Sequence, residues 1–481
     1  MRLLTFLVLV VADLVSADRT AKATADKITD LPFVSFQTNF EQFAGFLNST
    51  VENELYKMHY WYIESQNAST DPLILYISGA QCSSLYDMMM DVGPFRSYGL
   101  DSSLYENVFS WNKVANLLVI DPPGVGYSPG VSEAFDDLKV SAAMESALTN
   151  FFTVFPERVS NKFYLAAEGY ASVYVMKIAW SILQKLATGQ SQTNLQGILI
   201  GNGMVSAQTE YNTILPIAYT HAFAGKEVED TNLYQDCYRQ QIGFRDYKAS
   251  LGLALSNNYD SSDPWNGYPC TGGDSTHEYL TDPGVMAAMH AADSTFLTCA
   301  HFPYGTPTTD LTIDLSNVFN HKLYASRNMS ILFYNGDLDT QNNFLSAQNF
   351  VRDFSAKQKL SVITEDTWRA NYYRGVYADT DGGLRTIYSG NLHVLSIRGA
   401  GHYTTLSRPA QTLQVVRNFI RGLGYDNCLS AVNLAAAPLL PFYSQTLNPN
   451  TTRMQADKAC GEPELCLYGS VAAMAQRRSR Q

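Results

Sequence analysis

Short apolar runs separated by helical segments recur along this chain, and several end in a glycine or proline cluster. The runs occupy residues 73–77, 116–120, 163–165, 197–200, 331–334 and 392–397. They are mostly apolar without a polar alternation, as expected for strands that are buried on both faces. Residues 138–155 have the apolar spacing of a helix, which stops at Pro156. Strands that alternate with helices predict an α/β fold, with a mostly parallel central sheet flanked by helices.

The segment 163–175 (FYLAAEGYASVYV) combines a strand end, a turn of small residues and the start of a helix. This order is typical of the nucleophile elbow of α/β-hydrolases, in which a sharp turn presents a serine to the substrate. The tight turn requires small residues two positions before and after its apex, where the chain has Ala167 and Ala171. The apex is Gly169, which has no side chain. The segment therefore predicts an α/β-hydrolase fold without its nucleophile.

Two further candidates follow later strands, and active sites of open α/β sheets lie at the carboxyl ends of the strands. Asp337 and Asp339 come after the run at 331–334, and His402 comes after the run at 392–397. An elbow, then an acid, then a histidine is the chain order of the α/β-hydrolase triad. The order predicts that Asp339 orients the base His402 and that Asp337 is a turn residue. The alternative is a hydrogen-bonded structural histidine and an ordinary loop acid.

The alternation of strands and helices breaks after Gly203 and returns near residue 331. The intervening segment is rich in residues typical of loops, which predicts an inserted cap subdomain. The predicted division is a signal peptide at 1–17, a first core part at 18–204, the cap at 205–325, a second core part at 326–425 and a cysteine-containing tail at 426–481.

The N-terminus has the features of a secretory signal, although a short buried helix is the alternative. Arg2 supplies a positive charge, residues 3–11 are apolar, and Val15-Ser16-Ala17 forms a small-residue cleavage site. No other segment has the roughly 18 uncharged apolar residues needed to span a bilayer. Acceptor triplets for N-glycans begin at Asn48, Asn67, Asn328 and Asn450. Together these features predict a protein of the secretory pathway, either secreted or lysosomal.

Charge and cysteine content exclude several classes of function. The chain has 33 basic and 45 acidic residues, a net charge of −12, which argues against binding to nucleic acid or to an anionic membrane surface. Seven cysteines suit an oxidising compartment, and the odd number leaves at least one without a partner in the chain. The chain has no CxxC pair, and its histidines do not cluster with cysteines. We therefore expect no metal site and no cofactor.

Several longer motifs resemble those of the serine carboxypeptidase family, over about residues 32–424. They are HYWYIESQN at 59, SWNKVANLLVIDPPGVGYSP at 110, NLQGILIGNG at 194, ILFYNGDLD at 331 and RGAGH at 398. The elbow of the family is GESYAG, where this chain has AEGYAS at 167–172. The resemblance implies an α/β-hydrolase fold, with the nucleophile position at Gly169, the acid at Asp339 and the base at His402.

The resemblance also assigns residues that bind the substrate. The oxyanion loop of the family is NGGPGCSS, and the chain has SGAQCSS at 78–84, one residue shorter. The family's two oxyanion donors correspond to the amide of Tyr170 and to a position at or beside Ala80. The group that binds the substrate's terminal carboxylate corresponds to Ser78, Glu168 and Asp91. The serines at 83, 84, 128 and 172 are expected to be structural.

Pairings and partners follow from the same resemblance. It implies disulfides between Cys82 and Cys299 and between Cys237 and Cys270, but it does not assign Cys428, Cys460 or Cys466. Peptide or protein C-termini are the implied ligands, and members of the family are often homodimers. The first hypothesis is a homologue that has lost peptidase activity and binds or regulates. The alternatives are an active carboxypeptidase or acyltransferase with a relocated nucleophile or a water primed by His402, and a structural or storage protein.

Overall fold

The computed structural model describes most of the chain with full side chains. The described residues are 18–79, 81–97, 103–131, 133–221, 273–299, 303–305, 307–370 and 380–441. Most of the predicted cap, the predicted signal peptide and most of the predicted tail lie outside these ranges.

The described residues contain a ten-stranded mixed sheet and a separate two-stranded ribbon, β4–β5. The strands are β1 Gln42–Val51, β2 Glu54–Ile63, β3 Leu73–Ser78, β4 Phe95–Ser97, β5 Leu104–Glu106, β6 Asn116–Ile120, β7 Phe163–Glu168, β8 Leu195–Gly201, β9 Ser330–Gly336, β10 Val362–Ala370, β11 Thr380–Tyr388 and β12 Leu392–Ile397. The order across the large sheet is β1-β2-β6-β3-β7-β8-β9-β12-β11-β10. The strands from β6 to β12 in this order are parallel, and antiparallel strands complete both edges.

Helices connect the parallel strands and cover both faces of the sheet. They are α1 Ala21–Ala25, α2 Ser84–Met90, α3 Asp137–Val154, α4 Ala171–Ala187, α5 Ala207–Thr220, α6 Gly273–Thr281, α7 Pro283–Ala288, α8 Thr312–Phe319, α9 Lys322–Ser326, α10 Phe344–Lys357, α11 Thr404–Ser407 and α12 Pro409–Arg421. Short 3₁₀ turns occupy Trp111–Lys113, Pro156–Arg158 and Leu429–Ala431. Helices α3, α4, α8 and α10 contribute to the core on one face, and α2, α6, α7 and α12 contribute to the core on the other.

Local chemistry accounts for several of these boundaries. Asp136 caps α3, because its Oδ1 accepts the Lys139 amide at 2.8 Å. Asn343 caps α10 in the same way, through the Ser346 amide at 2.9 Å. Helix α12 ends at Gly422, whose φ of +64° is the left-handed conformation that glycine adopts without strain.

The predicted α/β-hydrolase fold, with its mostly parallel central sheet flanked by helices, is confirmed. Every apolar run named from the sequence is a strand, and two of them, β6 and β12, have the predicted bounds. The sequence prediction missed β1, because its first four residues are all buried and its apolar and polar residues do not alternate there. Helix α3 covers its edge, where the Asn48 and Thr50 amides donate to side chains of Asn150 and Ser146. The described part of the predicted insertion, 205–221, 273–299, 303–305 and 307–325, is helical or irregular.

Candidate active site

Four residues meet at the carboxyl edge of the parallel strands because the strands that precede them are neighbours in the sheet. Gly169 follows β7, Asn202 follows β8, Asp339 follows β9 and His402 follows β12. These strands lie side by side in the order β7-β8-β9-β12. The structure therefore brings together the three predicted positions Gly169, Asp339 and His402, and it adds Asn202, which sequence reasoning missed.

The turn after β7 holds Gly169 against His402. Gly169 has a φ of +61°, a conformation that glycine adopts freely and that strains other residues. Its amide donates to the Gly201 carbonyl at 3.2 Å, and its carbonyl accepts the amides of Ser172 and Met204 at 3.3 and 3.1 Å. A Cβ placed on Gly169 would lie 3.3 Å from His402 Nε2. Position 169 therefore faces the imidazole as a nucleophile would.

His402 is oriented by a carboxylate that is itself held in place. His402 Nδ1 lies 2.8 Å from Asp339 Oδ2, and both residues are buried. Asp339 also accepts hydrogen bonds from Asn202 Nδ2 at 2.7 Å and from the Gln341 amide at 2.9 Å. The acid therefore fixes the ring so that Nε2 faces the elbow, the arrangement of a general base. Asn202 positions the acid, and its location directly after a buried strand was the signal for it in the sequence.

The loop after β3 is tethered by a disulfide. Cys82 and Cys299 are bonded, which is the pairing that the family resemblance implied. Gly79 and Gln81 both have left-handed backbone, with φ of +66° and +56°, a conformation that is uncommon for a residue such as glutamine. Ala80, the predicted position of one oxyanion donor, lies outside the described residues.

Tyr170, the predicted second oxyanion donor, is fixed by the buried carboxylate of Asp137. Its hydroxyl donates to the two oxygens of Asp137 at 3.0 and 3.1 Å. Asp137 also accepts the Tyr304 hydroxyl at 2.7 Å, and the Thr308 amide and hydroxyl at 2.7 and 2.6 Å. Tyr304 and Thr308 belong to the predicted insertion, so this carboxylate joins the insertion to the residue that follows Gly169.

Glu168 and Asp91, the predicted carboxylate-binding pair, are both buried and incompletely paired. Neither carboxyl oxygen of Glu168 has a hydrogen-bond partner among the described residues, and Asp91 Oδ1 has none either. Asp91 Oδ2 accepts the Tyr76 hydroxyl at 3.5 Å. Burial raises the pKa of Glu168 well above its ordinary value, and the neighbouring Asp91 raises it further. Burial also raises the pKa of Asp91, to about 6. In protonated form these carboxyls can donate a hydrogen bond to a ligand carboxylate.

Asp87 is a third buried acid at this edge, and sequence reasoning did not single it out. It precedes Asp91 by four residues, so both lie on the same side of the end of α2. The side chain of Ser78 hydrogen-bonds to it, burial raises its pKa, and the nearby His402 lowers it. The Tyr403 hydroxyl lies 3.4 Å from its Oδ1. The four-residue spacing on a helix was the sequence signal for this residue.

The hydroxyls of Ser172, Ser83 and Ser128 form hydrogen bonds to other groups. Ser172 Oγ donates to the Met204 carbonyl at 2.6 Å, and Ser83 Oγ donates to Asp121 Oδ1 at 2.9 Å. Ser128 Oγ donates to the backbone carbonyl of Asp121 at 2.9 Å. These contacts are structural, as the sequence analysis expected.

Buried carboxyls should make the stability of this protein depend on pH. Burial raises the pKa of Glu168, Asp91, Asp87 and Asp121, in the last case to about 7. Each holds a proton in the native state over a pH range where the unfolded chain has released it. The free energy of unfolding therefore falls with rising pH, by up to about 1.4 kcal/mol per pH unit for each such group.

Buried histidines oppose this trend only at lower pH. Burial lowers the pKa of His59 and His393 to about 4. Between pH 4 and 6.5 the unfolded chain therefore binds more protons at these histidines than the native state does, and the free energy of unfolding rises with pH. Above pH 6.5 these two histidines no longer oppose the carboxyl effect. We expect the melting temperature to fall as the pH rises from 6.5 to 7, where native Asp121 still binds a proton, and Glu168→Gln, which removes another carboxyl with a raised pKa, to make the fall shallower in scanning calorimetry. Glu54→Gln, at an exposed site, is the control. Equal slopes for wild type and Glu168→Gln would contradict the prediction.

The other predicted sites lie at the surface or outside the described residues. Asn48, Asn67 and Asn328 are exposed. Asn450, Cys237, Cys270, Cys460 and Cys466 lie outside the described ranges. Of the described cysteines, Cys428 takes part in no disulfide. Within the described residues, no group of three or more histidine, cysteine or acidic residues is arranged to hold a metal ion, and no helix has the length and apolar character needed to cross a membrane.

Comparisons with known proteins agree with this geometry. The model of the serine carboxypeptidase family matches residues 32–422. The serine carboxypeptidase ctsa-4.1 of Caenorhabditis elegans is 29% identical over 84% of this chain and 95% of that relative. A serine carboxypeptidase S10 family member of Dictyostelium discoideum is 30% identical over 81% of this chain and 96% of that relative. The Lysosomal protective protein (cathepsin A) of Mus musculus is 26% identical over 82% of this chain and 93% of that relative.

A solved structure shows the same fold. The prohormone-processing carboxypeptidase Kex1 of Saccharomyces cerevisiae superposes with a TM-score of 0.63 at 20% sequence identity, covering 83% of this chain and 95% of that one. The match to the family model, over residues 32–422, spans the sheet, the elbow and the ends of β9 and β12, where the acid and the histidine lie. This chain belongs to the serine carboxypeptidase family.

Proposed function

We propose that this protein is a secreted or lysosomal member of its family that has no peptidase activity and that binds peptide or protein C-termini, as a binding or regulatory protein. One observation carries the proposal: the residue that faces His402 Nε2 from the elbow is Gly169, which offers no hydroxyl. Loss of the nucleophile of a triad lowers turnover roughly a millionfold.

The oxyanion loop supports the same conclusion. It is one residue shorter than the family pattern, and Gln81 within it has left-handed backbone. Loss of one oxyanion donor typically lowers the rate by about a hundredfold or more. A chain that has changed both the nucleophile and this loop differs from the family in two groups that act on the transition state.

The binding part of the proposal rests on the buried carboxyls. Glu168 and Asp91 keep the positions that bind the substrate's terminal carboxylate in the family, and three of their oxygens have no partner among the described residues. Unpaired buried polar atoms are costly to maintain, and groups of this kind are commonly retained to contact a ligand. The raised pKa of both carboxyls favours the protonated form that can donate to a carboxylate.

A secretory location is supported by independent features. The disulfide between Cys82 and Cys299 suits an oxidising compartment. Three N-glycan acceptor asparagines, Asn48, Asn67 and Asn328, are exposed. The relatives include the Lysosomal protective protein.

A fluorophosphonate probe, which labels activated serines, tests the loss of activity. We expect no labelling of the wild-type protein under conditions in which an active serine carboxypeptidase is labelled to completion, because position 169 has no hydroxyl. Gly169→Ala is examined in parallel, with Gly422→Ala as the matched control, since Gly422 has a similar φ of +64° in open space. Strong labelling that persists in Gly169→Ala would show that another serine is activated and would overturn the proposal.

A second candidate function is an active carboxypeptidase or acyltransferase that uses a relocated nucleophile or a water primed by His402. The observation that favours it is the preserved contact of His402 with Asp339, supported by Asn202. Release of the C-terminal residue from an N-acyl dipeptide at acid pH, abolished by His402→Ala, would establish this function.

A further inference from the structure

The carboxyl of Glu168 belongs to a row of residues that the sheet holds at one level. Ser78 of β3 pairs with Glu168 of β7, Glu168 pairs with Gly201 of β8, and Gly201 pairs with Tyr334 of β9. Paired residues on neighbouring parallel strands direct their side chains to the same face of the sheet. The side chains of Glu168 and Tyr334 therefore lie on one face, with only a glycine between them.

Gly201 allows these two side chains to approach each other. An ideal Cβ on this glycine would lie 2.5 Å from Glu168 Oε2 and 2.5 Å from the hydroxyl oxygen of Tyr334. The two oxygens are therefore no more than twice that distance apart, yet Glu168 has no hydrogen-bond partner among the described residues. A ligand oxygen between them can contact both, because hydrogen bonds between oxygens are about 2.5–3.0 Å long.

The other hydroxyl groups near this carboxyl are already bonded to acids. The Ser78 hydroxyl hydrogen-bonds to Asp87, and the Tyr76 hydroxyl donates to Asp91 Oδ2 at 3.5 Å. No described residue forms a hydrogen bond with the hydroxyl of Tyr334, a residue that is 1% exposed. Of these three hydroxyls, the one on Tyr334 is therefore the donor that a ligand can use without displacing a protein contact.

A phenol suits a ligand carboxylate at this place because it adds no negative charge. Burial raises the pKa of Tyr334 well above its ordinary value, and the nearby Glu168 and Asp91 raise it further. The hydroxyl therefore stays protonated and remains a hydrogen-bond donor beside the acids.

We propose that the Tyr334 hydroxyl donates a hydrogen bond to the terminal carboxylate of a bound peptide, at the position formed by Glu168 and Asp91. The inference rests on the proposed binding function, to which it adds a ligand-binding residue. One carboxylate oxygen of the ligand accepts from the phenol. The carboxyl of Glu168, whose two oxygens have no partner among the described residues, donates to the same carboxylate when it is protonated.

Titration calorimetry at pH 5 tests the inference with N-acetyl-Phe-Leu and with N-acetyl-Phe 3-methylbutylamide, a decarboxylated analogue that keeps both side chains. At this pH the ligand carboxylate is ionised, whereas Asp91, whose pKa burial raises to about 6, is mostly protonated. Tyr334→Phe removes only the hydroxyl. It should weaken binding of the acid about tenfold or more, through loss of a hydrogen bond to a charged group, and change binding of the analogue by less than about twofold.

Tyr164→Phe is the matched control for this substitution. Tyr164 lies four residues before Glu168 on β7, and it is buried in the core on the same face of the sheet as Tyr334. Its hydroxyl donates to the Ile420 carbonyl at 3.0 Å. This variant should bind both ligands as wild type does. Circular dichroism and melting temperature establish that both variants are folded.

The outcomes separate this inference from the proposed function. Binding of the acid that is unchanged in Tyr334→Phe would overturn the inference and leave the binding function in place. Equal weakening of the acid and the analogue would also overturn it, because the hydroxyl would then have a structural role. If wild type binds the acid no more tightly than the analogue, the proposed binding function itself fails, and the inference fails with it.

Discussion

Gly169→Ser is expected to introduce a serine that a fluorophosphonate labels and to raise peptidase activity on an N-acyl dipeptide by about 10⁴-fold. The full gain from restoring a triad nucleophile is about a millionfold. The altered oxyanion loop should reduce this gain by about a hundredfold. The geometry supports the gain, because the new Cβ would lie 3.3 Å from His402 Nε2, and Asp339 already orients that ring. Hydrolysis is measured at acid and neutral pH, and labelling by mass spectrometry.

Two controls separate chemistry from strain in this experiment. Gly422→Ser places a serine at a similar φ of +64° with no neighbour within 4 Å, so it should lose similar stability and acquire neither labelling nor activity. Strain of this kind costs about 1–2 kcal/mol. Adding His402→Ala to Gly169→Ser should abolish the gain. A folded Gly169→Ser protein that is neither labelled nor active would mean that the oxyanion loop no longer supports the chemistry.

Replacing both Cys82 and Cys299 with serine is expected to lower the free energy of unfolding by about 3–5 kcal/mol. The bond closes a loop with a sequence separation of 217 residues, and cross-links that close long loops restrict the unfolded chain most. The loss is measured by urea unfolding under oxidising conditions, with the wild type under the same conditions.

The control for this experiment is Cys428→Ser. Cys428 is in no disulfide among the described cysteines, and its replacement should change the free energy of unfolding by less than about 0.5 kcal/mol. A decrease below about 1 kcal/mol in the double variant would show that the loop after β3 is held by its other contacts. Those contacts include the hydrogen bond from the Ser83 amide to the Thr298 carbonyl at 2.8 Å.

The sequence predicted the buried strands better than any other part of the fold. Strands such as β6 and β12 are covered on both sides, so most of their residues are apolar and nearly all are buried. The elbow and the acid–histidine order could be predicted because a tight turn and a strand end constrain residue type locally. The position of Gly169 opposite His402 then follows from the neighbouring places of β7 and β12 within one parallel sheet.

The edge strands β10 and β11 and the loop asparagines of the site could not be predicted, because their roles depend on tertiary contacts that a single sequence does not indicate. Strands β10 and β11 carry charged residues, and β10 is largely exposed while β11 is mostly half-buried, so they lack an apolar run. Asn202 and Asn342 are ordinary loop asparagines until the sheet places them beside Asp339 and Gly169. Such residues are recognised only from the atoms around them.

The carboxylate of Asp137 ties two distant parts of the chain to one side chain. It accepts hydrogen bonds from the phenol of Tyr170 and from the backbone of Thr308 at the same time. A substitution that removed this carboxylate would therefore release both the residue that follows Gly169 and a segment of the predicted insertion, so that damage at one acid would reach the elbow and its cover together.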